Sequence, residues 1–369
     1  MKMSNSAYEI LGLMSGTSLD GLDMAYCRFD LQDNRQWDFE LLAGQTLSYS
    51  EEWKERLANA IELDEDAHQN LHLEYAGLLA EHSRAFLKEI NKTPDLVGSH
   101  GHTSHHRPED GISFQLGDGQ TLANLLKLPV VANFRQGDVE LGGQGAPLVP
   151  IGDQLLFSDF SACLNLGGIA NISFQNEQKE RIAFDIGLAN MGLNYLMRDQ
   201  HPPYDKDGRE ARSGQTDQEL LEELNSLPYF SLSPPKSTGL EWFKNDIQPL
   251  LDQSDLPRAD LLRTLLRHMN EQIVKVLPKQ ADKEDRNLLV TGGGAFNVFW
   301  MEELKELLPA PYNLVVPKND WIEFKEALVF AFMALLRQRE EINIYASVTG
   351  AKRNSSGGDL FHPHSSKGR

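Results

Sequence analysis

Four glycine-dense turns constrain the fold of this chain more than any other feature: Gly16-Thr17-Ser18-Leu19-Asp20-Gly21, Gly142-Gly143-Gln144-Gly145, Gly167-Gly168 and Gly292-Gly293-Gly294. Each stands at or near the end of a stretch that reads as a β-strand. Glycine opens backbone angles closed to other residues and lets N–H groups approach an anion. A single cluster of this kind need only make a turn. Four of them at strand ends, where α/β proteins bind ligands, favour a phosphate-bearing ligand. The chain has no G-x-x-x-x-G-K-[ST] segment, which sets a P-loop ATPase aside.

The segments between the turns read as α/β. Strands are expected at 8–14, 22–30 and 39–46, the first two joined as a hairpin rather than as the strand-to-helix turn of a dinucleotide fold. Helices are expected at 51–61, 67–90 and 119–126, the last between short strands at 96–99 and 129–133. From 162 the pattern partly repeats: strands at 162–166, 170–174 and 181–184, helices at 218–227, 239–251 and 258–277, a strand at 287–291, then helices at 296–308 and 323–337. Strands bracketing Gly-rich turns near the start of both halves imply two related domains rather than a solenoid. The length, 369 residues, also exceeds one ordinary core. Chain direction and domain identity can first change at 142–150. The polar stretch from 354 onward is expected to be loosely ordered.

A formal net charge of -19 argues against nucleic acid or an anionic membrane as partner. It leaves room for a nucleotide, which backbone N–H groups and helix N-termini can hold. Cys27 and Cys163 sit in apolar stretches and read as buried, reduced thiols. No apolar segment of signal-peptide type precedes the first strand, and no run is long enough to span a bilayer. A soluble, cytoplasmic protein is the expectation.

Three groups of polar residues carry chemistry. Asp20 and Asp23 lie in or beside the first turn, with the hydroxyls of Thr17 and Ser18. Asp185 ends a predicted strand and precedes a predicted helix. There it either accepts a proton or holds Mg²⁺ through water, or it simply caps the helix, and the residue type alone does not choose. The turn at 205–208 reads as solvated. Residues 99–106, SHGHTSHH, place imidazoles in a loop after a short strand. Metal ligation, substrate hydrogen bonding and surface polarity all remain open for them, and no matching Cys/His set occurs elsewhere.

In chain order, GLMSGTSLDGLD (12–23), SHGHT (99–103), NFRQGDVELGGQGAPLVP (133–150), NLGGIANI (165–172), FDIGLANM (184–191), YDKDG (204–208), PPKSTGLEWF (234–243), TGGGAFN (291–297), KEALVFA (325–331) and VTGA (348–351) resemble the motif series of the anhydro-N-acetylmuramic acid kinases. That family belongs to the acetate/sugar kinase, heat-shock and actin superfamily, and the resemblance covers nearly the whole chain.

The resemblance implies two actin-like (ribonuclease H-like) α/β domains flanking a cleft for ATP and sugar. Their expected extents are 1–134 and 135–343, with 344–369 as a C-terminal segment. It implies ATP and Mg²⁺, a small sugar substrate and no nucleic-acid or membrane partner. A homodimer is among the expectations, because family members are often dimers. Gly16, Thr17, Ser18, Leu19, Asp20, Gly21 and Asp23 would form the first phosphate loop. Gly167, Gly168 and Asn171 would lie on the nucleotide with Gly292, Gly293 and Gly294 of the adenosine-side motif. Asp185 would be the catalytic base. His100, His102, Arg135, Asp138, Gln144 and Glu326 would face the sugar. The implied reaction opens a 1,6-anhydro sugar with water and phosphorylates the freed O6 in peptidoglycan recycling. The alternatives are a kinase for another anhydro or amino sugar, or a non-catalytic ATP-binding clamp of the same fold. After Asp185 the family pattern is close to T-G-P-G-N, whereas this chain reads Ile186-Gly187-Leu188-Ala189-Asn190, which puts the substrate pocket in question. His102 stands where the family commonly has Gln.

Overall fold

The computed structural model describes residues 7–16, 19–278 and 286–364. The chain folds as two compact units. One comprises the described residues up to Leu156 together with those from Phe324 on, and the other lies within Phe157–Glu323.

In the first unit, β1 (Ala7–Ser15), β2 (Leu22–Leu31) and β3 (Trp37–Leu47) form an antiparallel meander. On the other side of β1 run β4 (Leu96–Arg107) and then β6 (Val130–Ala132), both parallel to it. β5 (Ile112–Leu116) folds back on β4. In the second unit, β7 (Ala162–Leu166), β8 (Ile169–Gln175) and β9 (Arg181–Leu188) form the same meander. There β10 (Arg286–Thr291) and β11 (Tyr312–Val315) run parallel to β7. Both sheets therefore share one order, an antiparallel three-strand meander whose first strand is extended by two parallel strands. That is the ribonuclease H-like core of an actin-like domain, and the chain has it twice.

The sequence explains these elements locally. The middle strands are nearly continuous apolar runs, as parallel strands covered on both faces must be, while β3 alternates between half-buried and exposed positions at the edge. Helix α1 (Glu65–Glu89) starts where the Asp64 carboxylate accepts from Ala67 N at 2.9 Å. It buries Leu71, Tyr75, Leu79 and Phe86 along one face. Each fully buried residue of that size contributes about 1.5–3 kcal/mol. Helix α2 (Gly119–Leu126) is capped by Asp118 in the same way, and α3 (Gln136–Glu140) follows β6. In the second unit α4 (Asn190–Met197), α5 (Arg258–Val276) and α6 (Val298–Leu307) cover the sheet. The last long helix is α7 (Asn319–Gln338). From Phe324 on it lies against the first sheet so closely that a Cβ at Gly12 or Gly98 would overlap the carbonyl oxygen of Ala327 or Phe330.

Several expectations are corrected. Residues 135–156 and 324–343 pack with the first unit, not with a domain running from 135 to 343. The histidine segment is strand rather than loop, because β5 supplies partners as far as Arg107. The helix expected at 239–251 is broken into Leu240–Trp242, a π-turn at Phe243–Ile247 and Gln248–Asp252, since Pro249 has no N–H to donate. Residues 354–364 are not loose. Ser355 bridges Ile344, and β12 (Asp359–Phe361) pairs antiparallel with β6, whose edge would otherwise be open. Residues 365–369 lie outside the described residues.

Candidate active site

The second unit gathers polar groups along one row of its sheet. Thr291 pairs with Asn165, Asn165 with Asn171, and Asn171 with Asp185, so four neighbouring strands place a polar residue at one level. Directly paired residues share a face. The opposite face carries Leu164, Leu166, Ile172, Phe184 and Ile186, all in the hydrophobic core. Asn165, Asn171 and Asp185 keep partial access to solvent.

Asp185 is neither at a strand end nor a helix cap. β9 continues through Leu188, and the residue before α4 is Ala189, which makes no side-chain cap. The strand continues because a β-bulge after Asp185 shifts the register, pairing Ala170 with Gly187. The segment 229–238 surrounds Asp185. Its N–H donates to Lys236 O at 3.1 Å, and its carbonyl accepts from the Tyr229 hydroxyl at 2.7 Å. Oδ2 accepts from Ser237 Oγ and from Thr238 N, each at 3.0 Å. Burial raises the pKa of this carboxyl above the usual aspartate value, and the Thr238 and Ser237 donors hold it partly down. Sequence reasoning quoted PPKSTG as a motif and gave its residues no role, because the contact crosses about fifty positions.

The glycine turns of this unit meet at the start of α4. Asn190 Nδ2 donates to Leu166 O and Gly167 O, both at 2.8 Å. Asn190 N donates to Gly167 O at 3.0 Å, and Ala189 N and Met191 N donate to Gly168 O. A trans peptide points its N–H opposite to its C=O. With the carbonyls of Leu166 and Gly167 turned toward α4, the N–H groups of Gly167 and Gly168 point away from it, as an anion nest requires. Gly292, at φ 81°, lies so near Asn165 and Leu166 that only a glycine fits. Gly293 is exposed beside Asn190, and Gly294 is packed against Leu166 and Trp300. The two turns and the start of α4 thus form one assembly. Asp205, expected in a solvated loop, instead accepts from Glu210 N and Ala211 N, both at 2.9 Å.

The first unit holds its candidates differently. Gly16 and Leu19 are half-buried, Leu19 with a left-handed φ of 60°, and Asp20 is exposed. Thr17 and Ser18 lie outside the described residues. Gly21 is pressed against Leu47 O, and Asp23 Oδ1 accepts from Thr46 Oγ1 at 2.5 Å. Under this turn a buried chain runs from Tyr75 OH to Tyr49 OH (2.6 Å), to Ser15 Oγ (2.9 Å), to His102 Nδ1 (3.1 Å). Burial pushes His102 down to about 4. His100 is buried as well; its Nε2 accepts from Arg135 Nε at 2.9 Å and its Nδ1 lies 2.9 Å from Gly101 O, so the ring is neutral with the proton on Nδ1. Arg135 Nη1 donates to Gly145 O at 2.8 Å. Desolvation lowers Arg135 to about 10, while Glu326 pulls it up. Glu326 reaches solvent but is surrounded by protein, which raises its pKa, with Arg135 pulling it down.

Two further candidates separate in role. Asp138 is fully buried, and its carboxylate is consumed by Gly145 N and Thr349 Oγ1, both at 2.8 Å. It builds the 142–145 turn rather than presenting a free oxygen. Gln144 is exposed and is fixed through its N–H to Thr349 O at 2.8 Å. The structure also contains a buried ion pair that sequence reasoning missed, Lys325 Nζ to Asp153 Oδ1 at 2.7 Å.

The family model described as anhydro-N-acetylmuramic acid kinase matches residues 8–363. Curated relatives of that name include a Sulfurimonas denitrificans protein, 35% identical over 95% of this chain and 98% of its own length. Another, from Vibrio cholerae, is 35% identical over 96% and 98%. A third, from Pseudomonas syringae pv. tomato, is 36% identical over 93% and 96%. The chain belongs to the anhydro-N-acetylmuramic acid kinase family. Its departures from the family pattern fall on the core. Ile186 and Leu188 are each 2% exposed and Ala189 is 0% exposed, and all three belong to the hydrophobic core. In an anhydro-N-acetylmuramic acid kinase these apolar residues fill the core beside the strand that presents Asp185.

Proposed function

We propose that Asp185 is the general base with which this chain, an ATP-dependent sugar kinase, hydrolytically opens 1,6-anhydro-N-acetylmuramic acid and phosphorylates its O6. Water is a poor nucleophile, so its attack on the anomeric carbon needs a carboxylate to take its proton. As the C1–O6 bond breaks, O6 is freed to attack the γ-phosphorus of ATP. ADP leaves, the proton held by Asp185 passes to solvent, and the products are N-acetylmuramic acid 6-phosphate and ADP.

The observation that supports this most is the setting of Asp185. It stands in the polar row with its backbone held on both sides and its Oδ2 doubly bonded, while Oδ1 has no hydrogen-bond partner among the described residues. In the same unit, the N–H groups of Gly167 and Gly168 and the 292–294 turn supply donors for phosphate and room for the nucleoside. In the other unit, Arg135 and Glu326 are the candidate sugar contacts, with His100 and Asp138 fixing Arg135 and the 142–145 turn. Among the described residues, no group of three His, Cys, Asp or Glu side chains could hold a metal. Mg²⁺ takes one or two carboxylates and completes its shell with phosphate oxygens and water. The exposed Asp20 would hold it through water, and the ion would neutralise phosphate charge. Because the departures at 186, 188 and 189 face the core, they give no ground for a different sugar. A cytoplasmic location, where ATP is supplied, and a homodimer complete the proposal.

Incubation with Mg-ATP and 1,6-anhydro-N-acetylmuramic acid should yield the 6-phosphate. Tight ATP binding with no such product would overturn the assignment.

A further inference from the structure

Asp185 is held by more donors than a structural carboxylate on a solvent-facing strand needs. Four hydrogen bonds reach it from residues 229–238. Two fix its backbone, from Tyr229 OH and to Lys236 O, and two converge on a single carboxylate oxygen. The ends of this segment are tied to one another, since Lys236 Nζ donates to Tyr229 O at 3.2 Å and lies 4.5 Å from the Tyr229 ring centroid. Only one of the two donors on Oδ2 is a side chain. Ser237 is exposed, fills no core position and has no other hydrogen bond among the described residues, so the partner its hydroxyl serves is Asp185.

We infer that Ser237 is a positioning residue for the reaction: it pins Oδ2 of Asp185 so that Oδ1 is the oxygen that takes the proton, and it keeps the carboxyl ionised. The inference rests on Asp185 being the base. Its physical basis is the opposition between two influences on one group. Desolvation in the half-buried row favours the neutral acid, which cannot act as a base. A hydroxyl and an amide donating to Oδ2 favour the anion, and both donations are charge-assisted. With Oδ2 occupied, rotation about the Cβ–Cγ bond is blocked, and the unbonded Oδ1 keeps one direction. A base held in one orientation avoids the loss that follows when a reacting group wanders by an ångström.

The sign follows from the direction of each effect. The Ser237 hydroxyl lowers the pKa of Asp185, so its removal lets burial raise that pKa further. The fraction ionised at a given acidic pH then falls, and the acid limb of the pH–rate profile moves to higher pH.

The test is the pH dependence of kcat and kcat/KM for four proteins, wild type, Ser237→Ala, Ser237→Thr and Asp185→Asn, assayed with Mg-ATP and 1,6-anhydro-N-acetylmuramic acid. Ser237→Ala should lose roughly tenfold in kcat near neutrality, a fraction of the 10²–10⁴ that a positioned base supplies. Its KM for ATP should stay unchanged and its acid limb should shift upward. Ser237→Thr, which keeps a hydroxyl, should return the limb to its wild-type position. If Ser237→Ala keeps the wild-type limb while Asp185→Asn is nearly inactive, Asp185 stands as base and the inference about Ser237 falls. If Asp185→Asn itself retains near wild-type rate, the base assignment fails and takes this inference with it.

Discussion

The two units share a strand order and differ in where their polar groups point. In the first, the groups beside the 16–21 turn are sealed: Ser15 and His102 are 2% and 3% exposed and hydrogen-bond one another, with Tyr49 and Tyr75 completing the chain. In the second, the corresponding level of the sheet carries Asn165, Asn171 and Asp185, all partly open to solvent. The glycines differ as well. Gly12 and Gly98 admit the backbone of α7, whereas the second unit sets the close-packed Gly292 and Gly294 beside the exposed Gly168 and Gly293. One core can therefore serve opposite ends. In one copy polar groups satisfy one another inside the protein, and in the other they are left open to solvent, as the proposed chemistry requires.

The sharpest way to break this contrast is Asp185→Asn. If the second unit presents chemistry, kcat should fall by at least ~10²-fold. Thermal stability should hardly change, because the amide keeps the shape and faces away from the core. Gly12→Val tests the other side. A branched side chain against Ala327 O should destabilise the protein by about 3 kcal/mol, at the upper end of ordinary overpacking, as read by urea unfolding. Gly168→Ala sharpens the comparison. The nearest atom to its added Cβ would be Met191 Cε at 3.8 Å, so folding should be unaffected. Crowding the N–H groups of that turn should raise KM for ATP by up to ~10-fold, the worth of about one hydrogen bond. A stability loss at Gly168 equal to that at Gly12 would remove the distinction.

The smallest effect is one the units share. Each buries a histidine, His102 pushed down to about 4 and His268 to about 3, in both cases by desolvation. A histidine depressed in the folded state is neutral there and charges first in the unfolded chain. Its contribution to stability is complete above about pH 6.5 and declines as pH falls toward the folded value. At pH 6 each should cost about 1 kcal/mol relative to pH 8. His102→Gln and His268→Gln should each flatten the pH dependence of the melting temperature, and an unchanged slope would show that the rings are not sealed.

Much of this protein was readable locally. The first hairpin, the Gly167-Gly168 turn, α2 and the strand running into Gly292 follow from period-two alternation, glycine punctuation and capping aspartates, all of which act over a few residues. Asp185 as a candidate, and Gly167, Gly168 and Gly292 as turn glycines, came from the same short-range signals. Their order along the chain carried the family resemblance. Whether Asp185 capped a helix or faced the polar row was not readable, because the bulge that carries β9 to Leu188 depends on pairing with β8. Asp138 and Arg135 looked alike as polar residues near a glycine turn. Only burial and partners separate the one whose oxygens are consumed by Gly145 and Thr349 from the one whose guanidinium is held by His100.

By itself, then, the sequence determined the repeated α/β pattern, the glycine turns and the family, because each is written in neighbouring residues or in their order. Tertiary structure alone decided which face Ile186 takes, that residues from Phe324 on return to the first unit, that β12 closes the β6 edge, and that Ser237 reaches Asp185. Those outcomes depend on contacts between residues tens to hundreds of positions apart, and whether a distant group arrives to satisfy a hydrogen bond or fill a core is settled only when the chain is packed.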